Sequence, residues 1–295
     1  MKSKLNNKIK LNFIGIGAQR SGTTWLAEKL DQHPKICISV PKEICYFNKK
    51  RSYIHNSMNE NYKKSFNWYR KRFAHCKTNQ KQGEFSTIYL FDKYAPRNIY
   101  KHFPNIKIII CLRNPINRAY SQYRVYNKYY KVEERSFEKV VRVEEEYRER
   151  GLYYKQLTRY LKYFNKSQMH IILFKKIKNE PDKTIKDVYQ FLEVDGSFEP
   201  EGLEKRTNAS KSVKTTSIPR LMGIFSELLI SLNLSWLIRL LKNIGIKKFI
   251  MQFITKRRKH QKIDTQTENY LKNFYQEDIE NLEKLLNKDL SHWKC

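Results

Sequence analysis

Acidic residues are scarce in this chain. Only 29 Asp and Glu stand against 59 Lys and Arg, a formal charge of +30 over 295 residues. Such a surplus predicts attraction to polyanions: nucleic acid, acidic glycans, anionic membrane surfaces or polyanionic small molecules. AT-rich coding, which favours Lys, Asn, Ile and Tyr, is the competing source of the excess. Cysteine is also sparse. Cys37, Cys45, Cys76, Cys111 and Cys295 are scattered, odd in number and form no CxxC. No Cys/His grouping has zinc spacing, so the reading is reduced thiols in a reducing compartment. Long apolar runs are missing too. Leu221–Ile254 is broken by Glu227, Arg239, Lys242, Lys247 and Lys248, too often for a membrane span. The basic start MKSKLNNKIKLNF has no apolar signal core or cleavage site behind it, so a soluble cytoplasmic protein is expected. Internal repeats and long flexible linkers are absent as well. With 40% hydrophobic and 14% aromatic residues, the chain can bury a full core. One domain over 1–295 is expected: a core at about 11–200, then a basic loop and C-terminal helices over 201–295.

Strand and helix patterns alternate through the first two thirds. Asn12–Gly17, Glu84–Leu90, Lys107–Arg113 and Met169–Phe174 read as strands, and KIIICLR is apolar enough for the centre of a parallel sheet. Helices are expected over Gly22–Gln32, Tyr94–His102, Pro115 to about Tyr130, Ser136–Arg150, Tyr153–Phe164, Pro181–Leu192 and Thr267–Leu286. The order predicts an α/β fold with a central parallel sheet and helices on both faces.

The segment FIGIGAQRSGTTWL joins the first strand to the first helix. Glycine-turn and helix N-terminal N–H groups converge there, and the helix dipole adds positive charge, which makes an anion site. In a nucleoside-triphosphate loop a lysine follows the second glycine. Here Thr23 and Thr24 follow Gly22, and the cation is Arg20, inside the loop. A guanidinium can bridge neighbouring oxyanions through paired hydrogen bonds. That suits an anhydride of fewer charges, handled without a metal.

GAQRSGTTWL resembles the 5′-phosphosulfate loop of sulfotransferases that use 3′-phosphoadenosine 5′-phosphosulfate (PAPS). CLRNPINRAYSQY, some ninety residues later, is similar to the strand–loop–helix that binds the 3′-phosphate in that family. GLYYKQLTRYLKYF, IILFKKIKNEP and NKDLSHW extend the resemblance over nearly the whole chain, toward the heparan-type glycan N- and O-sulfotransferases and bacterial relatives. The resemblance implies a P-loop NTPase-like three-layer fold with a helical C-terminal extension. It also implies PAPS as donor, 3′-phosphoadenosine 5′-phosphate (PAP) as product, and no required metal. Arg20, Ser21, Gly22, Thr23 and Thr24 would then hold the 5′ end, and Arg113 and Ser121 the 3′-phosphate. Lys211 and Lys214, in SKSVK, fall where the family places a basic loop over the nucleotide. Trp25 is a candidate to stack on adenine, although a large aromatic early in a helix is more often core.

PKEICYFN resembles the family segment that carries a catalytic glutamate, which makes Glu43 the general base and Arg20 the group that neutralises the leaving phosphate. Lys42 would steady Glu43 or bind the donor. In many relatives an imidazole stands two positions after the glutamate; here that place is Cys45. GEFSTIY resembles the strand near the acceptor cleft, so Glu84 is a second carboxylate that would orient the acceptor, or else form a buried pair with a lysine. The acceptor would be a hydroxyl or amine on a carbohydrate, glycolipid or small metabolite. A P-loop kinase-like phosphotransferase and a basic protein for nucleic acid or anionic surfaces are the alternatives. The missing loop lysine counts against the first. The second rests on the net charge and on Lys256–His260, and no specific nucleic acid is expected. The basic stretch 221–259 would serve as an acceptor lid, a peripheral contact with an anionic membrane or a dimer face.

Overall fold

A computed structural model describes residues 10–52, 57–126, 135–203 and 263–294, with residues 212–213, 228–229, 232, 234, 237 and 255–256. Lys211, Lys214 and most of 221–259 lie outside the described residues. In chain order the elements begin with β1 (Leu11–Gly17), α1 (Thr23–Leu30), β2 (Ile36–Ile38), β3 (Lys50–Ser52), β4 (Ser57–Met58), α2 (Phe66–Arg70), β5 (Lys81–Phe85) and α3 (Ala95–His102). They continue with β6 (Lys107–Leu112), α4 (Pro115–Val125), α5 (Phe137–Val143), α6 (Glu145–Glu149), α7 (Tyr153–Leu161), β7 (Met169–Leu173), α8 (Phe174–Asn179) and α9 (Pro181–Leu192). The two-residue strands β8 (Ser212–Val213) and β9 (Thr255–Lys256) precede α10 (Thr265–Leu286).

Five strands form one parallel sheet in the order β2-β5-β1-β6-β7. Parallel strands buried on both faces need continuous apolar sequence, and β6 supplies it. Its side chains alternate between two cores. Ile108, Ile110 and Leu112 pack with residues of α3, α4, α7 and α10. Ile109 and Cys111 pack with Phe13, Phe85, Ile172 and residues of α1 and α9. This is the P-loop-like α/β architecture expected from the alternating pattern, with a helical layer on each face.

Local chemistry sets the helix starts. Asn114 and Ser136 cap α4 and α5 through the N–H groups of Asn117 and Lys139, and Asp264 caps α10 through Thr267 at 2.8 Å. Asp278, on α10, accepts the Tyr154 and Lys155 N–H groups at 3.0 and 3.1 Å. A side chain from a distant helix therefore satisfies the first-turn donors of α7.

Three expectations are corrected. The strand read at Glu84–Leu90 lies earlier, at Lys81–Phe85, because the chain turns after Phe85 to bring Ser86 and Tyr89 back onto Glu84. The single helix expected over Ser136–Arg150 is two, since Glu144 takes an extended conformation (φ −94°, ψ 99°) between α5 and α6. The short strands β2, β3 and β4 and the helix α2 were not anticipated. Finally, Cys37 and Cys76 are joined in a disulfide rather than left as reduced thiols, which removes the basis for assigning a reducing compartment. Among the described residues, no helix is long and apolar enough to cross a membrane.

Candidate functional site

β1 and β6 are neighbours, but their following helices diverge. β1 leads to α1 on one face of the sheet, and β6 leads to α4 on the other. The crevice beyond the carboxyl ends of two such strands is where open α/β sheets bind ligands. Main-chain pairing continues to its edge, with the Ala18 N–H donating to the Cys111 carbonyl at 2.7 Å.

Both sequence segments singled out for phosphate meet in this crevice. Arg20 Nε donates to Ser121 Oγ at 3.1 Å, and Arg113 Nη1 donates to the Arg20 carbonyl at 3.1 Å. Gly22 caps α1 with φ 92°, a conformation that glycine adopts without strain. A Cβ there would also meet Ile177 at 2.9 Å and Phe174 at 3.0 Å. Thr23 is buried at the head of α1, Thr24 and Ser121 are partly open, and Ser21 is fully buried. The Ser21 hydroxyl lies against that of Tyr153, which donates to the Arg113 carbonyl at 2.8 Å. Tyr153 thus braces the loop that carries Arg113. Sequence reasoning passed over it, although it opens the helix after Gly151.

The electrostatics favour an anion. Burial lowers Arg113 to about 10, and the nearby Arg20, Arg118 and Arg124 push in the same direction. Arg113 sits over the Phe174 ring at 4.9 Å, and no carboxylate bridges it among the described residues. Arg118 is fully buried and donates to Gln122 and to the Tyr147 carbonyl, so it holds structure. A group of cations crowded into low dielectric is stabilised by an incoming anion. Loop N–H groups, two guanidiniums and hydroxyls are therefore a donor set that fits a phosphorylated ligand.

Glu43 reaches the same region from the other side. Thr87 N–H donates to Glu43 Oε2 at 2.9 Å, and Thr87 Oγ1 lies 3.1 Å from the same oxygen. A methyl added to Gly17 would come within 2.9 Å of the Thr87 carbonyl oxygen, so this anchor abuts the start of the anion loop. Lys42 Nζ pairs with Glu43 Oε1 at 2.9 Å, and the Glu43 side chain is 41% exposed. It can reach an acceptor from solvent.

Two expected site residues are placed differently. Glu84 has no exposed surface and, among the described residues, no lysine partner; it accepts hydroxyls from Tyr69, Ser86 and Tyr89. It therefore contacts neither acceptor nor cation. Trp25 is buried in the core, with its indole N–H donating to the Leu203 carbonyl at 3.2 Å, so it has no face for adenine. At Cys45, where many relatives carry an imidazole, burial, then Glu43 and Glu84, raise the thiol to about 12. His33 is structural, as expected from its turn. It is buried between Tyr189 and Phe198, accepts from the Lys35 N–H and meets the Asp195 carbonyl.

The sequence profile of the sulfotransferase domain matches residues 12–220. The chain belongs to the sulfotransferase family. Among curated sulfotransferases, heparan sulfate glucosamine 3-O-sulfotransferase 5 of Mus musculus is 32% identical over 190 residues, covering 61% of this chain and 52% of that protein. The bifunctional heparan sulfate N-deacetylase/N-sulfotransferase 1 of Xenopus laevis is 26% identical over 299 residues, covering 92% of this chain and 29% of that one. The chain thus spans about half the length of the first relative and under a third of the second. A solved sulfotransferase from Alicyclobacillus acidocaldarius superposes with a TM-score of 0.69 at 25% identity, covering 98% of this chain and all of that one. The sulfotransferase domain from the curacin biosynthetic pathway, at TM-score 0.50 and 16% identity, shares the fold.

Proposed function

We propose that this sulfotransferase moves a sulfuryl group from PAPS to a hydroxyl or amine of a carbohydrate acceptor. The observation that carries the reading is the meeting of Arg20, Arg113 and Ser121 at the divergence of β1 and β6. Two anion elements on one crevice suit a ligand phosphorylated at both ends of an adenosine. Arg20 and the N–H groups around Ser21–Thr24 would hold the 5′ end, with Arg113 and Ser121 on the 3′-phosphate. PAPS supplies the activated sulfuryl group as a sulfate–phosphate anhydride.

Glu43 takes the proton from the acceptor hydroxyl or amine as it attacks, and Lys42 holds the carboxylate's other oxygen. Arg20 balances charge that builds on the departing phosphate. The carbohydrate assignment leans on the heparan-type relatives.

Calorimetric titration tests the donor site. PAP should bind without metal and more tightly than ATP with Mg²⁺. Preference for ATP with Mg²⁺ would overturn the reading in favour of phosphoryl transfer. Salt-sensitive RNA binding that survives Arg20→Ala, with no PAP binding, would instead make the chain a polyanion-binding protein.

A further inference from the structure

The buried carboxylate of Glu84 lies behind the segment that bears Glu43. Its Oε1 accepts from Ser86 Oγ and from the Tyr89 hydroxyl, both at 2.6 Å, and its Oε2 accepts from the Tyr69 hydroxyl at 2.7 Å. A hydroxyl has one proton to donate and lone pairs to accept with. Once Ser86 and Tyr89 donate to Glu84, their lone pairs face the chain after Glu43. Ser86 Oγ accepts the Cys45 N–H at 2.9 Å. The Tyr89 oxygen accepts the Tyr46 and Phe47 N–H groups at 2.7 and 3.3 Å. Three consecutive main-chain donors therefore end on one carboxylate through two hydroxyls.

The carbonyl side of the same segment is also tied. Asn61 Nδ2 donates to the Ile44 carbonyl at 2.9 Å, and Asn59 Nδ2 donates to the carbonyls of Cys45 and Asn48. Between these anchors Cys45 holds a left-handed φ of 53°. A side-chain-bearing residue keeps such a conformation only where its surroundings enforce it. The adjacent Thr87 then fixes the Glu43 carboxylate itself.

We propose that Glu84 is a positioning residue for sulfuryl transfer: through Ser86 and Tyr89 it fixes the main chain of Cys45–Phe47 and so the place of Glu43 beside the anion loop. This rests on Glu43 being the base. Glu84 needs no contact with donor or acceptor to act in this way. A glutamine there would preserve the relay, with its amide oxygen toward Ser86 and Tyr89 and its NH₂ toward Tyr69. An alanine would not.

The test compares Tyr89→Phe, Ser86→Ala, Glu84→Ala and Glu84→Gln with the unaltered chain. The readouts are amide hydrogen exchange at residues 45–47, PAP affinity, and kcat and KM for transfer from PAPS to a desulfated heparan oligosaccharide. In Tyr89→Phe and Glu84→Ala, exchange at Tyr46 and Phe47 should rise about tenfold or more, and in Ser86→Ala exchange at Cys45 should do so. In the same variants kcat should fall about 10- to 100-fold, with PAP affinity and KM unchanged. Glu84→Gln should match the unaltered chain in every readout. Should Glu84→Ala fail to fold, the hydroxyl deletions decide. Unaltered exchange at these amides in Tyr89→Phe and Ser86→Ala would overturn the proposal, as would Glu84→Gln behaving like Glu84→Ala. Fast exchange with undiminished kcat would overturn the proposal, since Glu43, held also by Thr87, would then keep its place without the tether. An oligosaccharide that accepts no sulfate from any form would overturn the acceptor class, while exchange still decides the tether.

Discussion

Replacing Arg113 with Ala separates its part in binding from its part in folding. The guanidinium donates to the Arg20 carbonyl at 3.1 Å and rests on the Phe174 ring. Burial and three neighbouring arginines hold it at about 10 against an ordinary 12.5, which corresponds to about 3 kcal/mol set against its charged form. Removing it relieves that penalty and loses a charged hydrogen bond worth about 1.5–3 kcal/mol. The two nearly offset, so the unliganded variant should melt close to the unaltered chain. Binding is different, because on the proposed assignment the 3′-phosphate would lose a charge-assisted partner. PAP affinity should fall about 10- to 150-fold. Adenosine 5′-phosphate should weaken far less, since it lacks that phosphate and feels only the released Arg20 loop. Parallel calorimetric titrations of both nucleotides supply the comparison. Equal weakening of the two would refute the assignment of Arg113 to the 3′ end. A large drop in melting temperature would refute the energetic argument.

Glu43→Gln should lower kcat about 10²- to 10⁴-fold, as loss of a general base does, while calorimetry shows PAP binding retained. Glu84 gives a pH signature in stability. Its surroundings are the hydroxyls of Tyr69, Ser86 and Tyr89, the Cys45 thiol and, further off, the Glu43 carboxylate; burial dominates and raises it from 4.5 to about 7. The folded state then holds this proton more tightly than the unfolded state, so the stabilisation is complete below pH 4.5 and is lost as pH rises through 7. The loss should approach about 3 kcal/mol in denaturant titrations and should vanish in Glu84→Gln; an unchanged pH slope in that variant would count against the assignment. Cys76→Ser opens a bridge between residues 39 apart, and chemical unfolding should report a loss of about 4 kcal/mol from loop-closure entropy.

Much of this was legible beforehand, for reasons visible in single segments. KIIICLR is apolar on both faces, which only a central parallel strand requires, and it forms β6. PDKTIKDVYQFL opens with a proline suited to a first helical turn and forms α9 over the expected span. The turn from β1 into α1 was legible because strand, glycines and helix all fall in order. What stayed hidden depends on partners far along the chain. ICI is three residues long, too short for periodicity to distinguish a strand, and it sits at the sheet edge. GEFSTIY has strand-forming residues throughout, but Glu84 draws Ser86 and Tyr89 inward and ends the strand at Phe85. Nothing in the sequence spacing pairs Cys37 with Cys76. Nor does it bring Tyr69 and Tyr89 to one carboxylate, since that juxtaposition exists only once α2 has packed against the sheet.

The cap that Asp278 places on α7 bears on how the enzyme is born. Tyr153, the first residue of α7, holds the Arg113 carbonyl, yet the carboxylate that satisfies the next two donors lies 124 residues beyond Tyr154. Translation at about 5–20 residues per second leaves a delay of roughly 6–25 s between them. During that interval the crevice has its arginines but lacks the brace that steadies them. A nascent chain on the ribosome therefore completes the support of α7, and with it of the Arg113 carbonyl, only after α10 has emerged and docked.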